Sequence, residues 1–237
     1  ETMTAILAID TAANACSAAI SVDDRITASC YQEMVRGHAE HLVPMVGKIA
    51  EEADCALKKI DLVAVTVGPG AFTGLRVGLA AARGFALSAG VPCLGMTTLE
   101  VIAAAAVDVS SSLMVVLNSK RDDVYCQVFD PKKHPLTRPA LLTPKKVSEI
   151  ARGHISDSSP LVLAGNAASD TSENLVRAGF KTEIFSYQYP DASILAKLAA
   201  SHWSQGNPIA RPAPMYLRAA DAELPVLGGS LRPSFSG

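Results

Sequence analysis

Gly68-Pro69-Gly70-Ala71-Phe72-Thr73-Gly74-Leu75-Arg76-Val77-Gly78 lies between a β-branched run, Leu62 to Val67, and a segment rich in small residues that extends to Ala89. The arrangement reads as strand, glycine loop, helix. Glycine inside a helix costs about 1 kcal/mol relative to alanine, so Gly78 and Gly84 need an offset, and close approach by another backbone supplies one. Free N–H groups and the helix dipole converge at the start of such a helix, which makes the loop a candidate anion site. The alternative, a tight turn with helix packing, stays open.

Working towards the amino terminus, Ala5 to Ile9, Cys16 to Val22 and Ile26 to Gln32 read as three consecutive strands, with Asp23-Asp24 as a turn. Leu42, Val46, Ile49, Ala50 and Ala53 recur at helical spacing over His38 to Ala53, early enough for Pro44 to be absorbed. Past Gly90, Val91 to Leu94 is expected as a strand, and Thr97 with Glu100 forms a capping box for a helix through Ala106. The first half reads βββαβαβα.

Beyond Ser110-Ser111-Ser112, strands are expected over Leu113 to Leu117, Val124 to Phe129 and Leu136 to Leu142, then a helix from Pro144 to about Gly153. Leu161 to Ala164, Thr171 to Ala178, Thr182 to Phe185 and Ala192 to Gln205 continue as strand, helix, strand and helix. The second half repeats the first. The fold class expected is α/β, a duplicated three-layer fold joined near residues 106 to 112. Its units are 3–106, which carries the partner-binding helices, and 107–237, whose tail from about 208 packs back on the first.

The 237 residues carry a net charge of -2 with scattered basic side chains, so no field across the whole chain would hold nucleic acid. Five separated cysteines (Cys16, Cys30, Cys55, Cys93 and Cys126) without CxxC spacing argue against a disulfide framework or structural zinc, and suit a reducing cytoplasm. Asp10 and Asn14 interrupt the first apolar run too early for a secretory leader. Arg83, Gly90 and Pro92 break the most apolar later stretch, so no membrane span is expected. Glu1 and Thr2 ahead of Met3 are set aside.

Asp10-Thr11 ends the first strand, where phosphate-handling proteins with this strand order carry a carboxylate. No glycine lies between Asp10 and Ile20 to let a hairpin wrap around phosphates, so Asp10 is expected to cap its own turn. The P-loop lysine and the Rossmann glycine are both missing, since Leu75 and Thr73 occupy those places. His38 and His41 sit three apart at a helix start without a third metal ligand. Lys120-Arg121-Asp122-Asp123 reads as a solvated hairpin tip, and Tyr216 and Arg218 as pins holding the tail to the first unit. No nucleophile and base pair is apparent, and no catalytic residue is assigned.

Gly74, Gly78, Ala82 and Ala86 form a narrow small-residue stripe, and the helix from His38 carries more apolar surface than one sheet face needs. Such a helix pair could dock on an equivalent pair from another subunit. The face expected to meet a partner comprises Leu42, Val43, Val46, Ile49 and Ala50 on one helix and Gly74, Gly78 and Ala82 on the other.

Ile6 to Thr11, His38-Ala39-Glu40, Gly68 to Gly78, Thr97 to Glu100, Asp123-Val124-Tyr125 and Pro214 to Arg218 together resemble the TsaB (YeaZ) family over nearly the whole chain. The resemblance implies a duplicated RNase H-like fold of the actin/Hsp70 (ASKHA) kind. It implies a cytoplasmic, non-catalytic subunit for making N6-threonylcarbamoyladenosine in tRNA, paired with a TsaD-like catalytic subunit and joined by a TsaE-like ATPase. The lone chain is expected to self-dimerise, tRNA to be reached through the complex, and no cofactor or metal to be assigned, with a nucleotide at the subunit interface left open. Asp10, Thr11, His38, Glu40, Gly68, Pro69, Gly70, Thr73 and Arg76 are the family-motif positions and the candidate ligand loop. Ala39, Ala71 and Asn118 depart from the family pattern. The rival readings are a small-molecule kinase or ATPase of the same superfold, and a metallopeptidase of the glycoprotease type.

Overall fold

The computed structural model describes residues 4–154, 160–203 and 209–218. Strands β1 (Ala5–Ala13), β2 (Ala15–Val22), β3 (Arg25–Glu33), β4 (Leu62–Thr66) and β5 (Cys93–Met96) form one sheet in the order β3-β2-β1-β4-β5. A second sheet contains β6 (Leu113–Asn118), β7 (Val124–Phe129), β8 (Ala140–Leu142), β9 (Leu161–Ala164) and β10 (Thr182–Ile184), in the order β8-β7-β6-β9-β10. Renumbered from their own first strands, the two orders are identical. In each sheet the first three strands run antiparallel and the last two join in parallel. The fold is the duplicated RNase H-like α/β architecture.

Alternation along β1 sorts the layers. Leu7 and Ile9 face α1 (His38–Glu52) and α2 (Phe72–Ala89), whereas Ile6 and Ala8 face the opposite side. Leu42, Val46 and Ile49 of α1 and Leu79, Ala82 and Ala86 of α2 complete the first layer, and a fully buried Leu or Ile contributes about 1.5–3 kcal/mol. In the second repeat α4 (Pro144–His154) and α5 (Ala168–Arg177) cover the corresponding face of their sheet.

The last helices of the two repeats change places. Leu99, Ile102 and Ala103 of α3 (Thr98–Ala105) pack on Leu113, Val115 and Phe129 of the second sheet. Leu195, Ala196 and Ala199 of α6 (Ala192–His202) pack on Ile6, Ala8 and Ala64 of the first. Each sheet is therefore covered on one side by a helix from the other repeat. The halves share a core, although residues 106 to 112 still separate the repeats in sequence.

Several boundaries differ from the sequence reading for local reasons. Pro92 has no N–H and serves only as an acceptor, from Val63 N, so β5 starts at Cys93 and not Val91. Pro139 interrupts the run from Leu136, leaving β8 with Ala140–Leu142 alone. Helix α5 starts at Ala168, one turn before Thr171. The expected capping box at α3 is present: Glu100 N donates to Thr97 Oγ1 at 3.1 Å and Thr97 N to Glu100 Oε2 at 2.8 Å.

Residues 209–218 form a strap across both repeats. Met215 N donates to Val67 O at 2.7 Å, Arg83 to the Pro212 carbonyl, and Pro212 covers Gly95 so closely that a side chain there would collide. At its end Arg218 pairs with Asp123 (2.5 Å) and donates to Ser119 Oγ, both at the β6–β7 connection. Arg218 thus pins the strap to the second repeat; only the stretch before it holds the first. Residues 219–237 of the expected tail lie outside the described residues.

Hydrogen bonds from Ser119 and Arg218 hold the Asp123 carboxyl below the usual carboxylate range against the opposing effect of burial. The folded state therefore prefers the ionised carboxylate, and the hook is lost as pH falls through that lowered value. Arg218→Ala should release the strap end. Hydrogen exchange should quicken at residues 119–124 and at the Met215 amide, while the α1 amides stay unchanged.

Candidate functional site

Two surfaces meet at the start of α2: a cleft between the repeats, and the outer face of the α1–α2 pair. The loop from Gly68 to Ala71 is drawn tightly onto β1. Ala71 N donates to Ala12 O at 2.7 Å, and Thr11 Oγ1 donates to Gly74 O at 2.8 Å. A Cβ on Gly70 or Gly74 would fall within 3.0 Å of the Ala12 or Thr11 carbonyl oxygen, and one on Gly78 would reach the Thr11 hydroxyl equally closely. The close approach that these glycines signal is therefore made inside the chain, strand against helix.

This corrects most of the expected partner face. Gly74, Gly78 and Ala82 are buried beneath α2, and Leu42, Val46 and Ile49 beneath α1, all within the protein's own core. Val43 is exposed (57 %) and Ala50 is partly so. One turn apart on the same face of α1 as these two lies Gly47, and on the outer face of α2 Ala80, Gly84 and Leu87 follow at helical spacing. Among the described residues a Cβ on Gly47 or Gly84 would meet nothing within 4 Å, and Leu87 is 84 % exposed. Spacing identifies these helices but cannot tell which of their faces the sheet takes.

Asp10 lies in β1 where its regular pairing with β2 breaks, on the α6 side of the sheet, and is completely buried, so the first strand runs past the expected end to Ala13. Its Oδ1 accepts from Thr66 Oγ1 at 2.5 Å and from Ala12 N at 3.2 Å, so it does cap its own turn, while Oδ2 has no partner among the described residues. Burial pushes the carboxyl up to about 7; the Thr66 and Ala12 hydrogen bonds only partly oppose this, and Asp191 adds to it. Thr66 carries no recognisable motif and escapes sequence reasoning; its place beside Asp10 follows from the parallel register of β1 and β4.

His38 Nε2 lies 3.2 Å from Ala13 O, fastening α1 to the first hairpin, and His41 Nδ1 lies 2.9 Å from Gly37 O. Both imidazoles are engaged with backbone, and among the described residues no group of three or more His, Cys, Asp or Glu is placed to hold a metal. Glu40 and Thr73 are exposed, and Gly68 and Pro69, joined by a cis peptide, are buried. Arg76 stacks on Phe72, its guanidinium 3.7 Å from the ring centroid, and donates from Nε to Tyr216 OH at 3.2 Å. Burial pushes the Cys16 and Cys126 thiols up to about 12 and Cys93 to about 11, so none of the three supplies a thiolate nucleophile at neutral pH.

The cleft encloses about 430 Å³ between the β1–β2 turn and α2 start on one side and the β6–β7 turn on the other. Thr98, Lys120 and Arg218 line it; each lies in a stretch that stands out in the sequence, but nothing in the chain's order brings the three together. Reading Lys120 as part of a solvated tip is therefore incomplete. Among the described residues, no helix is long and apolar enough to cross a membrane.

Comparison with known proteins agrees with this architecture. The family model described as "TsaD: tRNA N6-adenosine threonylcarbamoyltransferase" matches residues 32–230. The tRNA threonylcarbamoyladenosine biosynthesis protein TsaB of Escherichia coli is 33% identical over 150 residues, 61% of this chain and 64% of that protein. Its namesake from Buchnera aphidicola is 33% identical over 122 residues, 51% of this chain and 58% of its own length. The matched stretch thus spans less than two thirds of each relative. The structure of YeaZ from Pseudomonas aeruginosa superposes with a TM-score of 0.76 at 26% identity, covering 90% of this chain and all of that one. The chain therefore belongs to the family of that TsaD model and, within it, to the TsaB/YeaZ group.

Proposed function

We propose that the chain is a cytoplasmic, non-catalytic subunit in the synthesis of threonylcarbamoyladenosine in tRNA, and that it pairs with a TsaD-like catalytic subunit through the outer face of α1 and α2. The observation that carries this reading is the pair of unexplained glycines. Gly47 and Gly84 each cost their helix about 1 kcal/mol relative to alanine, yet nothing among the described residues occupies the space a side chain would take. Val43 and Leu87 flank them, exposed and apolar. Small residues set among apolar ones let a second helix pair approach closely and bury these side chains.

In this reading a TsaE-like ATPase joins the assembled pair, a nucleotide sits at the subunit junction, and tRNA is bound through the complex. Without the catalytic subunit the same face pairs two copies of this chain. The test is genetic and chemical. Cells depleted of the chain should lose threonylcarbamoyladenosine from their tRNA and regain it on re-expression. Unchanged modification after depletion, or turnover by the purified chain with no companion present, would contradict the proposal.

A further inference from the structure

We propose that the pocket of about 440 Å³ on the outer side of α2, where Arg83, Gly84, Leu87, Val91 and Arg211 come together, receives an aspartate or glutamate carboxylate carried by an apolar helix of the catalytic subunit. This inference rests on the reading that the outer α1–α2 face pairs with that subunit.

Two cations here meet an apolar surface without a counter-charge. Arg83 is partly buried and held in place: it donates to the Pro212 carbonyl of the strap, while its Nε is buried with no partner among the described residues. Arg211, one residue before that proline, is exposed. Among the described residues neither guanidinium has a carboxylate within ion-pair distance, and no acid lines the pocket. Cys93 also lines it but offers no negative charge at neutral pH, because burial pushes its thiol up to about 11.

The place of the two arginines decides what they can bind. Gly84 and Leu87 belong both to the pocket and to the outer face of α2. A subunit that covers Leu87 therefore takes Arg83 and Arg211 out of water as well. Two like charges desolvated beside aliphatic side chains oppose docking unless the incoming surface brings an acid, since a buried charge is costly without a hydrogen-bonded partner of opposite sign. A carboxylate with aliphatic neighbours satisfies both parts of the pocket. Its oxygens accept from the guanidinium N–H groups, and its neighbours cover Leu87 and Val91, with the open space at Gly84 admitting the partner's backbone.

Calorimetry with the full chain and the TsaD-like subunit tests this at about 50 mM and about 500 mM salt, where screening separates ionic from apolar contacts. Arg83→Gln would also lose the Pro212 anchor, so the exposed Arg211 carries the test. Arg211→Glu should weaken binding about tenfold to thirtyfold at the lower salt and Arg211→Gln about fivefold, whereas Arg211→Lys should stay within about threefold of the parent. The higher salt should erase most of the gap between the parent and Arg211→Glu. The proposal is overturned if Arg211→Glu binds as tightly as the parent or more tightly at the lower salt, or if the gap is the same at both salts. Should Val43→Glu with Gly84→Leu abolish binding while Arg211→Glu does not, the docking face stands and the acidic partner group is refuted; a parent that does not bind the subunit refutes both.

Discussion

Gly74→Ala should destabilise the protein by about 3 kcal/mol or more, the range of strongly overpacked cores. The added methyl would sit within 3.0 Å of the Thr11 carbonyl oxygen, and both colliding parts belong to backbone, one in α2 and one in β1. Neither can swing aside as a flexible side chain would, so α2 must lift from the sheet. Lifting it also stretches the 2.8 Å bond from Thr11 Oγ1 to the Gly74 carbonyl. Gly84→Ala in the same helix should do the opposite and stabilise the chain by up to about 1 kcal/mol, because its methyl enters open space. Urea denaturation of the two variants beside the parent measures the contrast. If Gly74→Ala lay within about 0.5 kcal/mol of the parent, the tight seat of the helix on β1 would be refuted.

The second large effect depends on pH and belongs to Asp10. Burial raises its carboxyl from 3.8 to about 7, so the folded chain holds a proton that the unfolded chain releases over that interval. Unfolding then releases a proton, and stability falls as pH rises from 3.8 towards 7, levelling off above. The full penalty is on the order of 4 kcal/mol, since each tenfold change in the acid dissociation constant is worth about 1.4 kcal/mol. Asp10→Asn keeps an oxygen for Thr66 and Ala12 and abolishes the ionisation. It should be more stable than the parent at pH 8 by about 2–4 kcal/mol, and the advantage should vanish near pH 4. Denaturation of both proteins across this range decides the matter. A parent whose stability climbs with pH while the variant tracks it would show that Asp10 is ionised in the fold.

The order of elements is legible in the sequence because each is signalled locally. Helix α2 is bounded by the proline-glycine loop before Phe72 and by Gly90, which closes it in the left-handed region at φ 71°. The capping box of α3 is likewise written into Thr97 and Glu100. What each helix packs against is not legible. The periodicity of α3 and α6 gives an apolar stripe but does not say which sheet receives it, so the exchange of these helices between repeats is visible only in space.

The candidate surface suffers from the same ambiguity. Gly74 and Gly84 look alike in sequence, both glycines within one helix. One is pressed against Thr11 and the other faces outward, with none of the described residues within 4 Å of where a side chain would start. Substituting Val46 or Gly78 to probe a partner would therefore unfold the core, whereas Val43 and Gly84 can be altered from outside. The turn-capping role of Asp10 is readable from the chain, but that its Oδ2 is buried without a partner among the described residues depends on packing that no local signal gives.

The decisive measurement is the equilibrium affinity between this chain and a TsaD-like subunit, determined by calorimetry for the parent, for Val43→Glu with Gly84→Leu, and for Leu136→Glu. Leu136 is exposed in the second repeat and serves as the control. The double variant should keep the parent's stability and lose about 100-fold or more in affinity, as expected when the centre of an interface is spoiled, while Leu136→Glu binds like the parent. Undiminished binding by the double variant would contradict the assignment of the outer α1–α2 face as the partner surface.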